Sequence, residues 1–263
     1  MEDWLIKGPA DYAPVIAMLD DTNFCLDRQY YLNLVRDMGS DGLIRGEGGQ
    51  SAFEESVWLF GLVGWCYAQY DQPELFRKLL AAMERRLERF FPLALESPAE
   101  FVALGSLSDE WGGPDRFREF VLPFYRKHVP LLKAKGKICS IHAHNSNLKL
   151  FADVLAETGV QVIEAYTPAP ISNLSISEAR RAWGRDTVIW VNFPETIFWS
   201  GREATRRYTL DLLENDSSPE RLVLGMTELG AYGIDNDVTE RAFKEGIRAI
   251  LDAIDDFSGS AAA

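Results

Sequence analysis

The chain has 263 residues, enough for one large domain with a substantial core, and 47% hydrophobic with 25% charged residues is an ordinary globular composition. A formal net charge of -13 excludes a general nucleic-acid binder, which needs a positive face to displace counterions, and disfavours an anionic membrane surface. Three cysteines, Cys25, Cys66 and Cys139, are too few and too scattered for a disulfide framework or a paired-cysteine zinc knuckle, so a reducing, cytoplasmic compartment is expected.

The acidic start MEDWLIKGPADY lacks the apolar run of a secretory signal. Residues 1–40 read as an N-terminal helical segment, carried by DYAPVIAMLDD and LDRQYYLNLVRDMG. DGLIRGEGG (41–49) is the first expected strand. VWLFGLVGWCYAQY (57–70) is too short to span a bilayer and reads as a buried helix. PELFRKLLAAMERRLERFF (73–91) is a strong helix with Pro73 at its start. EFVALGSLSDE (100–110) is a strand, and 114–136 is a helix kinked or split by Pro123 and Pro130.

GKICSIHAHN (136–145), VQVIEAYTP (160–168), DTVIWVNFP (186–194) and RLVLGMTE (221–228) are further strands, nearly continuous in hydrophobicity as strands buried on both faces are. Helices are expected at 147–159, at 175–184 behind a Ser175–Glu178 capping box, and at 239–257. Residues 41–257 form the main domain and 258–263 a disordered tail. Six strand–helix units make an α/β fold. A (β/α)8 TIM barrel would need two more, so the residues alone leave an incomplete barrel and an open sheet both standing.

The strand ends carry the chemistry-bearing residues. In CSIHAHNSN, alternation turns Cys139, Ile141 and Ala143 one way, and Ser140, His142 and His144 the other, at the C-terminal end where α/β barrels keep their sites. Two imidazoles so placed can share a zinc ion with a third ligand from another strand end, for which Glu228 is the candidate; equally, they can serve as metal-free acid, base or donor groups. Glu47 and Gln50 in GEGGQ, and Asp109 in SDE, could reach a substrate, or be solvated loop groups. Glu164 beside Tyr166 could act as an acid, with Asn192 donating hydrogen bonds. Trp111 and Phe193 could wall a pocket, although core packing is the commoner fate of such rings.

DQPELFRKLLAAM, the segment GSLSDEWGGPDRFREFVLPFYRKHVPLLKAKGK and SIHAHNSNLKLFADVLAETGVQVIEAYTP resemble, in that order, the uroporphyrinogen decarboxylase superfamily, with FREFVLPFY (Phe117–Tyr125) the most specific part. The resemblance covers roughly residues 40 to 257 and implies a (β/α)8 barrel lacking the first two strands. One branch of that superfamily decarboxylates tetrapyrroles without metal, using N-terminal arginines in an Arg-x-x-Gly-Arg motif that the N-terminal part of this chain does not contain. The other moves methyl groups to or from corrinoid proteins with zinc held by His-x-Cys and a later Cys. Here His142 matches the histidine, His144 stands at the cysteine position, and Glu228 follows the last strand, a harder ligand set suited to an oxygen ligand. The resemblance implies a zinc-dependent methyltransferase-like enzyme with a small methylated substrate and a corrinoid protein as partner. A metal-free decarboxylase and a non-catalytic ligand-binding remnant are the rivals. Open strand edges lead us to expect a homo-oligomer.

Overall fold

The computed structural model describes residues 4–107, 112–226 and 236–261. The chain forms two compact units: Met1–His142 with Glu157–Val160, and Ala143–Ala156 with Gln161–Ala263.

The first unit opens with α1 (Tyr12–Asp21) and α2 (Arg28–Met38), then β1 (Arg45–Glu47), α3 (Ala52–Asp71), α4 (Pro73–Glu96) and β2 (Phe101–Ser106). A short α5 (Pro114–Arg116) runs into a π-helical turn at Phe117–Val121 and then α6 (Leu122–Ala134), followed by β3 (Ile138–His142). The interruption expected from the prolines falls here: Pro123 has no N–H to offer the preceding turn, and the helix widens just before it. β1, β2 and β3 pair in parallel in that order, and the β1 backbone ladder continues past its end, Gly48 N–H donating to the Ala103 carbonyl at 2.8 Å. The core holds Phe53, Leu79, Met83, Leu104, Phe117 and Tyr125.

Helix α3 departs from the sequence expectation of full burial. Gly61, at φ +67, breaks it into two pieces where the Trp4 ring packs so closely that a Cβ would lie 2.5 Å from it. Phe53, Val57, Phe60, Trp65 and Ala68 are buried, but the other face is not.

The second unit contains α7 (Leu148–Glu157, ending in the residue that belongs to the first), β4 (Val162–Tyr166), α8 (Ile176–Trp183), β5 (Val188–Asn192), α9 (Arg202–Asn215), β6 (Leu222–Gly225) and α10 (Asp237–Ala261). β4, β5 and β6 are parallel neighbours in sequence order. The Ser175 capping box is present, the Glu178 amide donating to the Ser175 hydroxyl at 3.3 Å and the Ser175 amide to the Glu178 carboxylate at 3.1 Å. Helix α9 is absent from the sequence reading because REATRRYTLDLLEN is mostly charged and polar, with Thr205, Thr209, Leu212 and Leu213 its only buried residues. α10 continues through Ser258–Ala261, residues expected from the sequence to form a tail. Among the described residues no helix is long and apolar enough to cross a membrane.

Candidate functional site

In the first unit the polar groups gather where β2 ends. Ser51 caps α3: its hydroxyl accepts from the Glu54 amide at 3.2 Å, and the Glu54 carboxylate accepts from the Ser51 amide at 2.9 Å. The other carboxylate oxygen accepts from the amide of Ser106, the last residue of β2, at 2.9 Å. Glu54 is 1% exposed, and removal from water outweighs both amides, pushing its pKa up to about 7. The buried Tyr125 hydroxyl donates to the Leu104 carbonyl at 3.4 Å; burial, and then the charge of Glu54, hold this phenol well above its usual range.

Gly105 sits among these groups at φ +30, where a Cβ would lie 2.5 Å from the Tyr125 hydroxyl and 2.7 Å from a Glu54 oxygen. Gly105→Ala is therefore expected to destabilise the protein by about 1–3 kcal/mol through overpacking. Urea unfolding checks this, and an unchanged midpoint would show that the cluster yields freely.

Ser106 pairs in register with His142, and the Leu107 amide donates to the His142 carbonyl at 2.7 Å. Glu54 is thus first a clamp: it ties the start of α3 to the strand end beside His142. It is also a carboxyl that titrates near neutrality, the property asked of a general acid or base. Glu54 is missing from the sequence reading, although the Ser51–Glu54 spacing is a capping-box signal. Of the residues named from the sequence in this unit, Glu47 is exposed and pairs with Arg45 at 3.3 Å, and Gln50 is half-buried. A cleft of about 290 Å³ opens beside the start of α3, lined by Ser51, Phe53, Glu84, Glu119, Lys127 and His128 among others. His128 is a packing residue, its ring centroid 4.1 Å from that of Phe91, with a pKa lowered by burial.

In the second unit β4 breaks the alternation expected of a regular strand. Ile163 pairs with Ile189, but Tyr166 pairs with Val191, so one residue is inserted between them, with Ala165 at φ +59. Tyr166 therefore shares a face with Ile163, and Glu164 lies on the other. This corrects the expectation that Glu164 and Tyr166 act side by side. The Tyr166 hydroxyl donates to the Leu174 carbonyl at 2.7 Å, and its ring meets Trp183 of α8 edge-on at 5.5 Å; burial raises its pKa.

The face that keeps Glu164 also carries Asn192, whose amide donates to the Thr167 hydroxyl at 3.2 Å, and the half-buried Trp190. Glu164, Thr167 and Asn192 are all buried. Gly225 of β6 leaves room for the indole, since a Cβ there would come 2.3 Å from Trp190 Nε1. Thr167 and Trp190 are additions to the sequence reading; in the sequence Trp190 is one more aromatic, with no sign of which side it takes. Phe193 is 1% exposed and stacked on Phe198 at 5.5 Å with Tyr208 edge-on at 5.4 Å, so its ring packs in the core instead of walling a pocket.

His142 ends β3 and is half-buried, and His144, two residues on, is exposed. Ala143 between them is wholly buried, its amide donating to the Glu164 carbonyl at 2.7 Å. Among the described residues no three His, Cys, Asp or Glu side chains gather as a metal-binding set. Glu228, Asp109 and Trp111 lie outside the described residues.

Known proteins agree with this architecture. A methyltransferase from Methanosarcina mazei superposes on 94% of this chain with a TM-score of 0.61 at 14% identity. The chain spans 64% of the length of that protein. At such identity the likeness carries the fold: α/β, TIM-barrel type, with six parallel strands alternating with helices among the described residues. The family model described as uroporphyrinogen decarboxylase (URO-D) matches residues 61–227, which include the Phe117–Tyr125 segment at the π-helical entry to α6 as well as strands β2 to β6. With more than half of its length matched in this way, the chain belongs to the uroporphyrinogen decarboxylase (URO-D) family.

Proposed function

We propose that this protein is a zinc-dependent, methyltransferase-like enzyme of the family, moving a methyl group between a small methylated compound and a corrinoid protein or other acceptor. The observation that carries this reading is the half-buried His142 at the C-terminal end of β3, with His144 exposed two residues further along the chain. His142, His144 and Glu228 would hold the ion. Two imidazoles and a carboxylate with one position left open are a ligand set that suits catalytic zinc. When bound, zinc would polarise an ether or hydroxyl oxygen of the substrate.

The rest is done by the chain itself. Glu164 can take or return a proton on its face of β4. Asn192, whose amide donates to the Thr167 hydroxyl, would orient the substrate by hydrogen bonding on the same face. Trp190 supplies an apolar wall for a methyl group. Glu54 keeps the end of β2 against His142 through the Ser106 amide.

Elemental analysis of the purified protein is expected to find about one zinc per chain. The His142→Ala/His144→Ala double variant is expected to lose it while keeping its circular dichroism. A wild type free of zinc after zinc supplementation would overturn the proposal and favour a metal-free decarboxylase, and a double variant that retains the ion would overturn the assignment of His142 and His144 as its ligands.

A further inference from the structure

The loops that leave β3 and β4 hold two buried polar atoms with nothing to bond. Asn145 is 3% exposed and Ser172 5%, yet among the described residues Asn145 Nδ2 and Ser172 Oγ have no hydrogen-bond partner. A donor taken out of water and left unpaired is costly, so two of them in neighbouring loops call for an occupant. Both loops stand at the C-terminal ends of their strands, where barrels of this type keep their ligands.

The two loops meet at the start of α7. Asn145 Oδ1 accepts from the Asn147 amide at 2.7 Å, one residue ahead of Leu148, where the helix begins. That bond commits the oxygen and leaves Nδ2, on the same carbon, as a donor held at the helix start. The loop carrying Ser172 is tied to the same turn through its next residue. Asn173 Oδ1 accepts from the Lys149 amide at 3.0 Å, and Asn173 Nδ2 donates to Asn147 Oδ1 at 2.6 Å. The N-terminus of this 10-residue helix favours negative charge.

Charge selects the ligand. The chain has 40 acidic residues, but none falls in 138–152 or 165–177, the stretches that contain the two loops. The one Lys or Arg in those stretches, Lys149, gives its ammonium to Glu178 at 2.6 Å. What is left is an amide, a hydroxyl and a helix start, neutral donors that suit one negative charge spread over two oxygens; a phosphate dianion calls for Arg or Lys. We propose that Asn145, Ser172 and the start of α7 form a carboxylate-binding subsite, and that the small ligand of this rim is an organic acid. The subsite stands without the zinc chemistry proposed above; taken with it, the methylated substrate carries a carboxylate.

Saturation-transfer NMR with methoxyacetate as the probe is the test, on protein stripped of metal by a chelator, so that a failure of the zinc assignment leaves the readout intact. The wild type is expected to bind methoxyacetate with a dissociation constant of about 1–10 mM and to bind its methyl ester more weakly. Asn145→Asp keeps an oxygen that accepts from the Asn147 amide and puts a favourable charge at a helix start, so its thermal midpoint should hold or rise. The same change replaces the free donor by a negative charge, and affinity for methoxyacetate should fall at least about tenfold. A capping role alone would not separate these two readouts. Ser172→Ala should weaken binding about tenfold, and Leu150→Ala, at an exposed site on α7, should leave it unchanged. A wild type that binds neither methoxyacetate nor acetate at about 50 mM would overturn the proposal, as would an affinity that Asn145→Asp or Ser172→Ala leaves unchanged, the two atoms then meeting only buried water. Tighter binding of the ester or of inorganic phosphate than of methoxyacetate would overturn the assignment to a carboxylate.

Discussion

Arg180→Met is expected to lower the stability of the protein by about 3–5 kcal/mol, the cost of leaving a buried charge without its partner. The guanidinium of Arg180, on α8, grips the Asp216 carboxylate with two hydrogen bonds, Nε to Oδ1 at 2.7 Å and Nη2 to Oδ2 at 2.8 Å. Their side chains are only 2% and 0% exposed. Arg180 Nη1 also donates to the carbonyls of Thr187, at 2.5 Å, and Gly184, at 3.1 Å, closing the turn between α8 and β5. Methionine fills much of the same volume but leaves the buried Asp216 carboxylate with the Ser218 amide, at 3.1 Å, in place of a cation. The double variant Arg180→Met/Asp216→Leu should be less destabilised than Arg180→Met alone, because it removes the stranded carboxylate. Urea unfolding of the three proteins measures both effects; a loss below about 1 kcal/mol for the single variant would mean that water reaches the pair.

Raising the pH from 4.5 to 7 should cost the wild type about 3 kcal/mol of stability that Glu54→Gln does not lose. The folded protein keeps the Glu54 proton until about pH 7, whereas the unfolded chain releases it near 4.5. Between those values the native state binds more protons, so this contribution is fully present below 4.5, falls as pH rises, and levels off above about 7. Subtracting the variant's profile from that of the wild type cancels the other carboxylates. The measurement is a series of urea titrations across this window. A difference that stays flat would mean that Glu54 is ionised throughout, well served by the Ser51 and Ser106 amides.

β2 to β5 and most helices are legible in the sequence because largely buried parallel strands write short continuous apolar runs, whereas β1 and β6, which keep exposed positions, are marked only by the apolar residues around them. β2 and β5 fall inside the runs EFVALGSLSDE and DTVIWVNFP. Helix α9 is not legible, since its buried positions are two threonines and two leucines in a charged segment. Glu54 is hidden for a different reason. It follows Phe53 in a segment that any composition would mark as a helix start, and what distinguishes it is the distant amide of Ser106, which no local pattern announces. Tyr166 misleads because an inserted residue in β4 leaves no compositional mark: Ala165 takes a left-handed backbone without the glycine that usually signals one. Phe193 misleads because its loop position suggests a pocket, whereas Phe198 and Tyr208, supplied by later elements, enclose it.

The inserted residue in β4 also changes how this rim can be rebuilt. Parity counts along the strand hold only as far as Glu164; beyond Ala165, odd and even positions trade sides, and Thr167 is the position that joins Asn192. A ligand grafted at residue 166 would stand beside Trp183 of α8, while one grafted at 167 would stand beside Asn192. Comparisons with relatives that number this strand as unbroken will therefore exchange its two faces at the last positions.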